Sequence, residues 1–148
     1  MDIPIAVVLR AKTPREIQAA AIATFVIDIA QLRDINERRS TPWNLYTSGI
    51  QYRREQRKSH FPDVERFQTI RSLIATRWGD CDDLAPAAAA VHFVAGDRRA
   101  RPLVIRSPGI GWHVITVRGN GDVEDPSARL GMLDHTFEHK LRSRPNDR

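Results

Sequence analysis

The chain carries one cysteine, Cys81, set in Trp78-Gly79-Asp80-Cys81-Asp82-Asp83-Leu84-Ala85. That stretch reads as a tight turn feeding a helix. A lone cysteine forms no internal disulfide. In the first turn of a helix it lies at the positive end of the macrodipole, among backbone N–H groups that have no helical acceptor, and both favour thiolate. Asp80, Asp82 and Asp83 act against this, because nearby negative charge raises a thiol pKa. A histidine must therefore help if a thiolate is to form. His113, in the Val- and Ile-rich stretch 112–118, and Asp125, at the end of the next short strand, follow in chain order. Imidazole is the side chain suited to take a thiol proton near neutral pH, and a carboxylate fixes its tautomer and steadies the imidazolium. The Cys81 N–H is a candidate donor to an oxyanion. Trp78 and Trp112 flank the set and could wall a substrate cleft or simply pack.

These residues need particular elements to bring them together. Asp80 is a suitable N-cap, with Asp83 three residues on, for a helix whose Leu84, Ala88, Val91 and Ala95 share a face and which Gly96 closes. The alanines 87–90 permit close packing, whereas Pro86 should kink or loosen the start of this helix. Stretches 102–106 and 112–118 read as strands, and Gly119-Asn120-Gly121 signals a hairpin to a short strand at 122–124. Adjacent antiparallel strands can set His113 beside Asp125. A helix packed on that sheet brings Cys81 towards them.

Upstream, Thr13-Pro14-Arg15-Glu16 is a helix start with a capping-box pattern. Ile17, Ala21, Ile22, Phe25, Val26, Ile29 and Leu32 then form a wide apolar stripe, predicting a helix to Arg38 or Arg39 that is buried on more than one side. Ile5 to Leu9 reads as a short strand or extended arm, and 43–60 as loop or irregular strand. Phe67, Ile70, Leu73 and Ile74 predict a second short helix over 67–77, stopped by Gly79. The order of helices first and antiparallel meander after gives an α+β class. The expected organisation is a single domain over 1–148. It comprises an arm and long helix at 1–40, a core at 43–132 and a tail at 133–148.

Three stretches carry a family resemblance. They are Leu45-Tyr46-Thr47-Ser48-Gly49-Ile50-Gln51-Tyr52-Arg53-Arg54-Glu55, Gly79-Asp80-Cys81-Asp82-Asp83-Leu84-Ala85, and Trp112-His113-Val114-Ile115-Thr116-Val117 leading to Val123-Glu124-Asp125-Pro126-Ser127. Together, over about residues 43–132, they resemble the transglutaminase-like branch of the papain-like cysteine enzymes, and more narrowly small transglutaminase-like proteins of tailed phages and prophages. The resemblance implies Cys81 as nucleophile, His113 as general base and then acid, and Asp125 as orienting carboxylate. It implies a nucleophile-bearing central helix on a small antiparallel sheet, no cofactor, and a protein or peptide amide as substrate. Members span peptide hydrolysis, cross-linking, deamidation and inert scaffolds, so a phage virion or assembly protein with an idle triad is the second expectation. A cytoplasmic or virion-associated setting follows from the same resemblance.

Charge and the remaining residues narrow the alternatives. The formal charge is +5 at pH 7, with 23 basic and 18 acidic residues. The basic residues are scattered and no nucleic-acid motif frames them, so a solvated surface is preferred to a nucleic-acid site. The N-terminus lacks a basic n-region, and Asp28 interrupts the apolar stretch 19–27, so neither a secretory signal nor a membrane span is expected. His60 falls in a polar loop, and His92 reads as a packing or surface residue. His135 and His139 stand four apart as on a helix face, but without a third ligand no metal is expected.

Overall fold

The computed structural model describes residues 6–9, 13–54, 65–107 and 111–132. His60, His135, His139 and the tail from 133 lie outside them. The elements in chain order are β1 (Ala6–Leu9), α1 (Pro14–Glu37), a 3-10 turn (Leu45–Thr47), β2 (Gln51–Tyr52), β3 (Glu65–Gln68) and α2 (Ile70–Thr76). Then come β4 (Trp78–Gly79), α3 (Cys81–Val94), β5 (Arg101–Ser107), β6 (Gly111–Val117), β7 (Val123–Glu124) and α4 (Pro126–Arg129). This mixture of helices and small sheets is compatible with an α+β class. The sheets are an antiparallel β1–β3 pair, a parallel β2–β4 pair and an antiparallel β5–β6–β7 meander.

α1 begins as its sequence dictates. The Thr13 hydroxyl accepts the Glu16 N–H at 3.2 Å, and Pro14, which has no N–H to orphan, opens the helix. The buried stripe departs from the one expected. Ile17, Ala20, Ala21, Phe25 and Leu32 are buried, but Val26 is 58% exposed, and the polar Thr24, Asp28 and Gln31 are buried instead. The reason is a tertiary cap. Asp28 Oδ1 accepts the Ile70 N–H at 2.8 Å and Gln31 Oε1 accepts the Arg71 N–H at 3.0 Å. Two side chains of α1 thus satisfy the first amides of α2, whose own N-cap, Thr69, makes no side-chain capping bond.

α2 is shorter than the expected 67–77. Phe67 and Gln68 belong to β3, where Phe67 pairs with Val7 and Gln68 with Ala6. Nor does Gly79 end the helix. Arg77 does so in the left-handed region (φ 70°), its amide bonding the Leu73 carbonyl. Gly79 is in β4 for a different reason: a Cβ there would meet Leu73 and Asp83.

α3 is packed between α1 and the meander, touching α1, β5 and β6. Leu84, Ala85 and Ala87 to Ala90 are buried, small enough to let three layers approach. Leu84, Ala87, Ala88, Ala89 and Ala90 share a core with Phe25, Leu32, Trp43, Leu45, Ile50, Ile70 and Leu73. A second core of Ile17, Ala20, Ala21, Phe67, Ala85 and Val114 has Cys81 and Val104 against it. The helix continues through Pro86. Thr116 Oγ1 donates to the Ala85 carbonyl at 2.9 Å, tying α3 to β6 at this point. Gln18 of α1 does the same for β5, donating to the Pro102 carbonyl and accepting the Val104 N–H. These bonds satisfy backbone groups on the β5 edge.

Candidate functional site

Cys81 is the first residue of α3, as expected. Asp80 caps the helix, its side chain accepting the Asp82 N–H at 3.1 Å, and Asp83 reaches back to the Asp80 N–H at 3.2 Å in a capping box. Asp83 also accepts the Gln68 amide (2.6 Å) and the Gln68 side chain (3.3 Å), so β3 holds the turn that carries Cys81 from behind. Burial pushes the Asp83 carboxyl up to about 7, while the amides of Gln68 and Asp80 pull the other way. The amides of Asp80 and Asp82 are consumed by the cap. The Cys81 amide is not, which leaves it as the first-turn donor.

The thiol does not gain the state that the helix end alone would give it. Burial pushes its pKa well up, Asp82 and Asp80 push it further, and only the Val114 amide aimed at the sulfur acts against them. The thiol donates to Asp82 Oδ1 at 3.7 Å. These influences favour the thiol over the thiolate. Desolvation and the acidic first turn thus work against the helix end, as the aspartates were expected to do.

His113 lies on β6 opposite Ile105, and Asp125 follows β7 as the N-cap of α4. The register pairs Thr116 with Glu124. Carried one step on, it puts Asp125 across from Ile115, on the same face as His113 and diagonal to it. The two side chains meet, with His113 Nε2 and Asp125 Oδ2 2.9 Å apart and each residue only 1% exposed. Asp125 Oδ1 accepts the Ala128 N–H at 3.4 Å, so helix capping orients the carboxylate. With Nε2 held by Asp125, Nδ1 is the nitrogen left for chemistry. Cys81 packs against the core that includes Val114, the next residue of the same strand.

Sequence reasoning passed over two further groups. Tyr52 pairs with Gly79 across β2–β4; chiefly through burial, with the negative charge of Asp80 adding to it, its hydroxyl is raised to about 12 and stays a donor. Only the parallel β2–β4 pairing brings it there, and two-residue strands leave no periodic signal. The second group centres on Glu124, beside Asp125. Glu124 receives the Tyr46 hydroxyl, meets His92 Nε2 at 2.8 Å and lies 3.8 Å from Arg129, whose guanidinium stacks 3.8 Å over the Tyr46 ring. His92 is therefore a partner of Glu124 rather than a surface residue.

Of the two tryptophans that flank Cys81 and His113 in the sequence, Trp78 lines a cleft beside the turn that carries Cys81, whereas Trp112 is 40% exposed on β6 and is not among the residues lining it. Among the described residues, no three potential metal ligands stand together, and no helix is long and apolar enough to cross a membrane. No protein-family model, curated protein or solved structure matches the chain.

Proposed function

We propose that the chain is a transglutaminase-like cysteine acyl-transferase or hydrolase acting on a peptide or amide bond, with Cys81, His113 and Asp125 as its triad. The observation that carries this reading is the His113–Asp125 contact at 2.9 Å between two buried side chains. An imidazole oriented by a buried carboxylate is costly to maintain for packing alone, and it is what a thiol nucleophile requires.

Because the resting sulfur is protonated, His113 works as a general base rather than as half of a preformed ion pair. Its Nδ1 takes the thiol proton as Sγ bonds to the carbonyl carbon, and the carbonyl electron pair moves to oxygen. The Cys81 amide stabilises that oxyanion. On collapse the C–N bond breaks, His113 returns the proton to the departing amine, and a thioester remains. Water or a second amine attacks it with His113 again as base, releasing the thiol.

The test is acylation by 4-nitrophenyl acetate, with the acetyl group located by peptide mass mapping. The reading requires a thioester on Cys81 that hydroxylamine removes, absent in Cys81→Ala and formed more slowly in Asp125→Asn. Equal acylation of wild type and Asp125→Asn would refute it.

One observation favours the second reading, an idle triad in a phage virion or assembly protein: the surroundings of Cys81 hold its thiol protonated. That reading requires Cys81→Ser to leave partner binding intact.

A further inference from the structure

The side chains beside the nucleophile turn point to what the proposed site selects. β2 and β4 bound a cleft of about 210 Å³ lined by Gln51, Tyr52, Arg53, Thr76, Arg77 and Trp78. Its two charged residues are both arginines, and both are exposed. Their backbones are fixed: the Arg53 N–H donates to the Gly79 carbonyl at 2.8 Å, and the Arg77 carbonyl accepts the Gln51 N–H at 3.2 Å. The Arg53 guanidinium stands 5.8 Å from the Trp78 ring centre, and the Arg77 guanidinium lies against Gly49. Among the described residues neither forms an ion pair, whereas Arg71, Arg118 and Arg129 all face carboxylates. The cleft adjoins the reacting groups. Trp78 precedes Cys81 by three positions, and Tyr52, which lines the cleft, pairs with Gly79, two positions before Cys81.

The charge is separated along this surface. Around Cys81 it is negative, from Asp80 and Asp82, and in the cleft it is positive. An anion is thus disfavoured at the reacting carbonyl and favoured one step away. A guanidinium fork suits a carboxylate, and Trp78 and Tyr52 offer apolar walls for a short side-chain stem.

We propose that this cleft is a recognition subsite for an acidic side chain, Asp or Glu, flanking the neutral amide that Cys81 attacks. The inference rests on the acyl-transfer reading, since it is the substrate of that same site which it names.

The experiment compares two affinity probes of equal size, iodoacetyl-Gly-Glu-amide and iodoacetyl-Gly-Gln-amide. In both, Cys81 Sγ displaces iodide to form a thioether, and the thiol proton passes to His113 Nδ1 and from there to solvent. The Glu probe is expected to label wild type about fivefold faster at low concentration, the scale of an exposed ion pair. That preference should shrink towards unity in Arg53→Gln and Arg77→Gln, and at high salt. Equal rates with the two probes in wild type, or a preference that survives both substitutions, would overturn the proposal. Arg77 packs on Gly49, so its variant is checked by thermal melting; should it fail to fold, Arg53→Gln decides, with Arg53→Lys expected to retain part of the preference. Failure of the parent reading is seen separately, as labelling by neutral iodoacetamide that does not respond to His113→Ala.

Discussion

At Cys81 two effects of known sign compete, and neighbouring charge with burial wins over the helix end. Asp82 is the strongest charged contributor to the raised thiol pKa. Asp82→Asn should therefore lower that pKa and speed alkylation of Cys81 by iodoacetamide at neutral pH several-fold, with the gain vanishing at alkaline pH where both thiols ionise. The positions of Cys81, His113 and Asp125 were legible before the fold was known. Cys81 was marked by its cap, His113 by its strand and Asp125 by the turn after it, all local signals. Tyr52 was not, because nothing near it in the chain says that Gly79 is its neighbour.

Elements carry the second set of consequences. Asp28 is buried with Oδ2 lacking a hydrogen-bond partner, and burial raises its pKa well above the usual value; Asp83 is raised to about 7. Both carboxyls hold protons in the folded protein at pH values where the unfolded chain has lost them. Each therefore contributes a stability that is fully present below the unfolded carboxylate pKa, roughly 4, and is lost as pH rises through the folded value. Asp28→Asn keeps an acceptor for the Ile70 amide and removes the titrating group. Its melting temperature relative to wild type should rise as pH increases from about 4 towards neutrality. The Glu124 cluster makes a different claim. It ties β7 to the 3-10 turn, α3 and α4 directly beside Asp125, so Glu124→Gln, which weakens its bonds to His92 and Arg129, should cost about 1–3 kcal/mol in denaturant titrations. Element boundaries were legible where caps and turns define them, as for α1, α3 and the β5–β6–β7 meander. They were not at 67–69. The apolar spacing of Phe67, Ile70 and Leu73 fits a helix, and only the remote pairing with β1 and the Asp83 bonds hold Phe67 and Gln68 extended.

In the molecule as a whole, α3 is the organising element. It is buried between α1 and the meander on a run of alanines, and its first residue is Cys81. Enlarging that layer should strain everything around it, and Ala88→Leu is expected to destabilise the protein by about 1–3 kcal/mol in denaturant titration. The layering could be anticipated from Ala87 to Ala90, but the cap that α1 places on α2 could not, since Asp28 and Gln31 look like solvent-facing residues until the partner helix is in place. The central claim is that Cys81 and the His113–Asp125 pair act together. It is tested most directly by the rate of iodoacetamide labelling of Cys81 across pH, in wild type and in His113→Ala. The expected result is a thiol that titrates above the ordinary range yet is labelled markedly faster at neutral pH when His113 is present to accept its proton. Rates that coincide in the two proteins at every pH would contradict it.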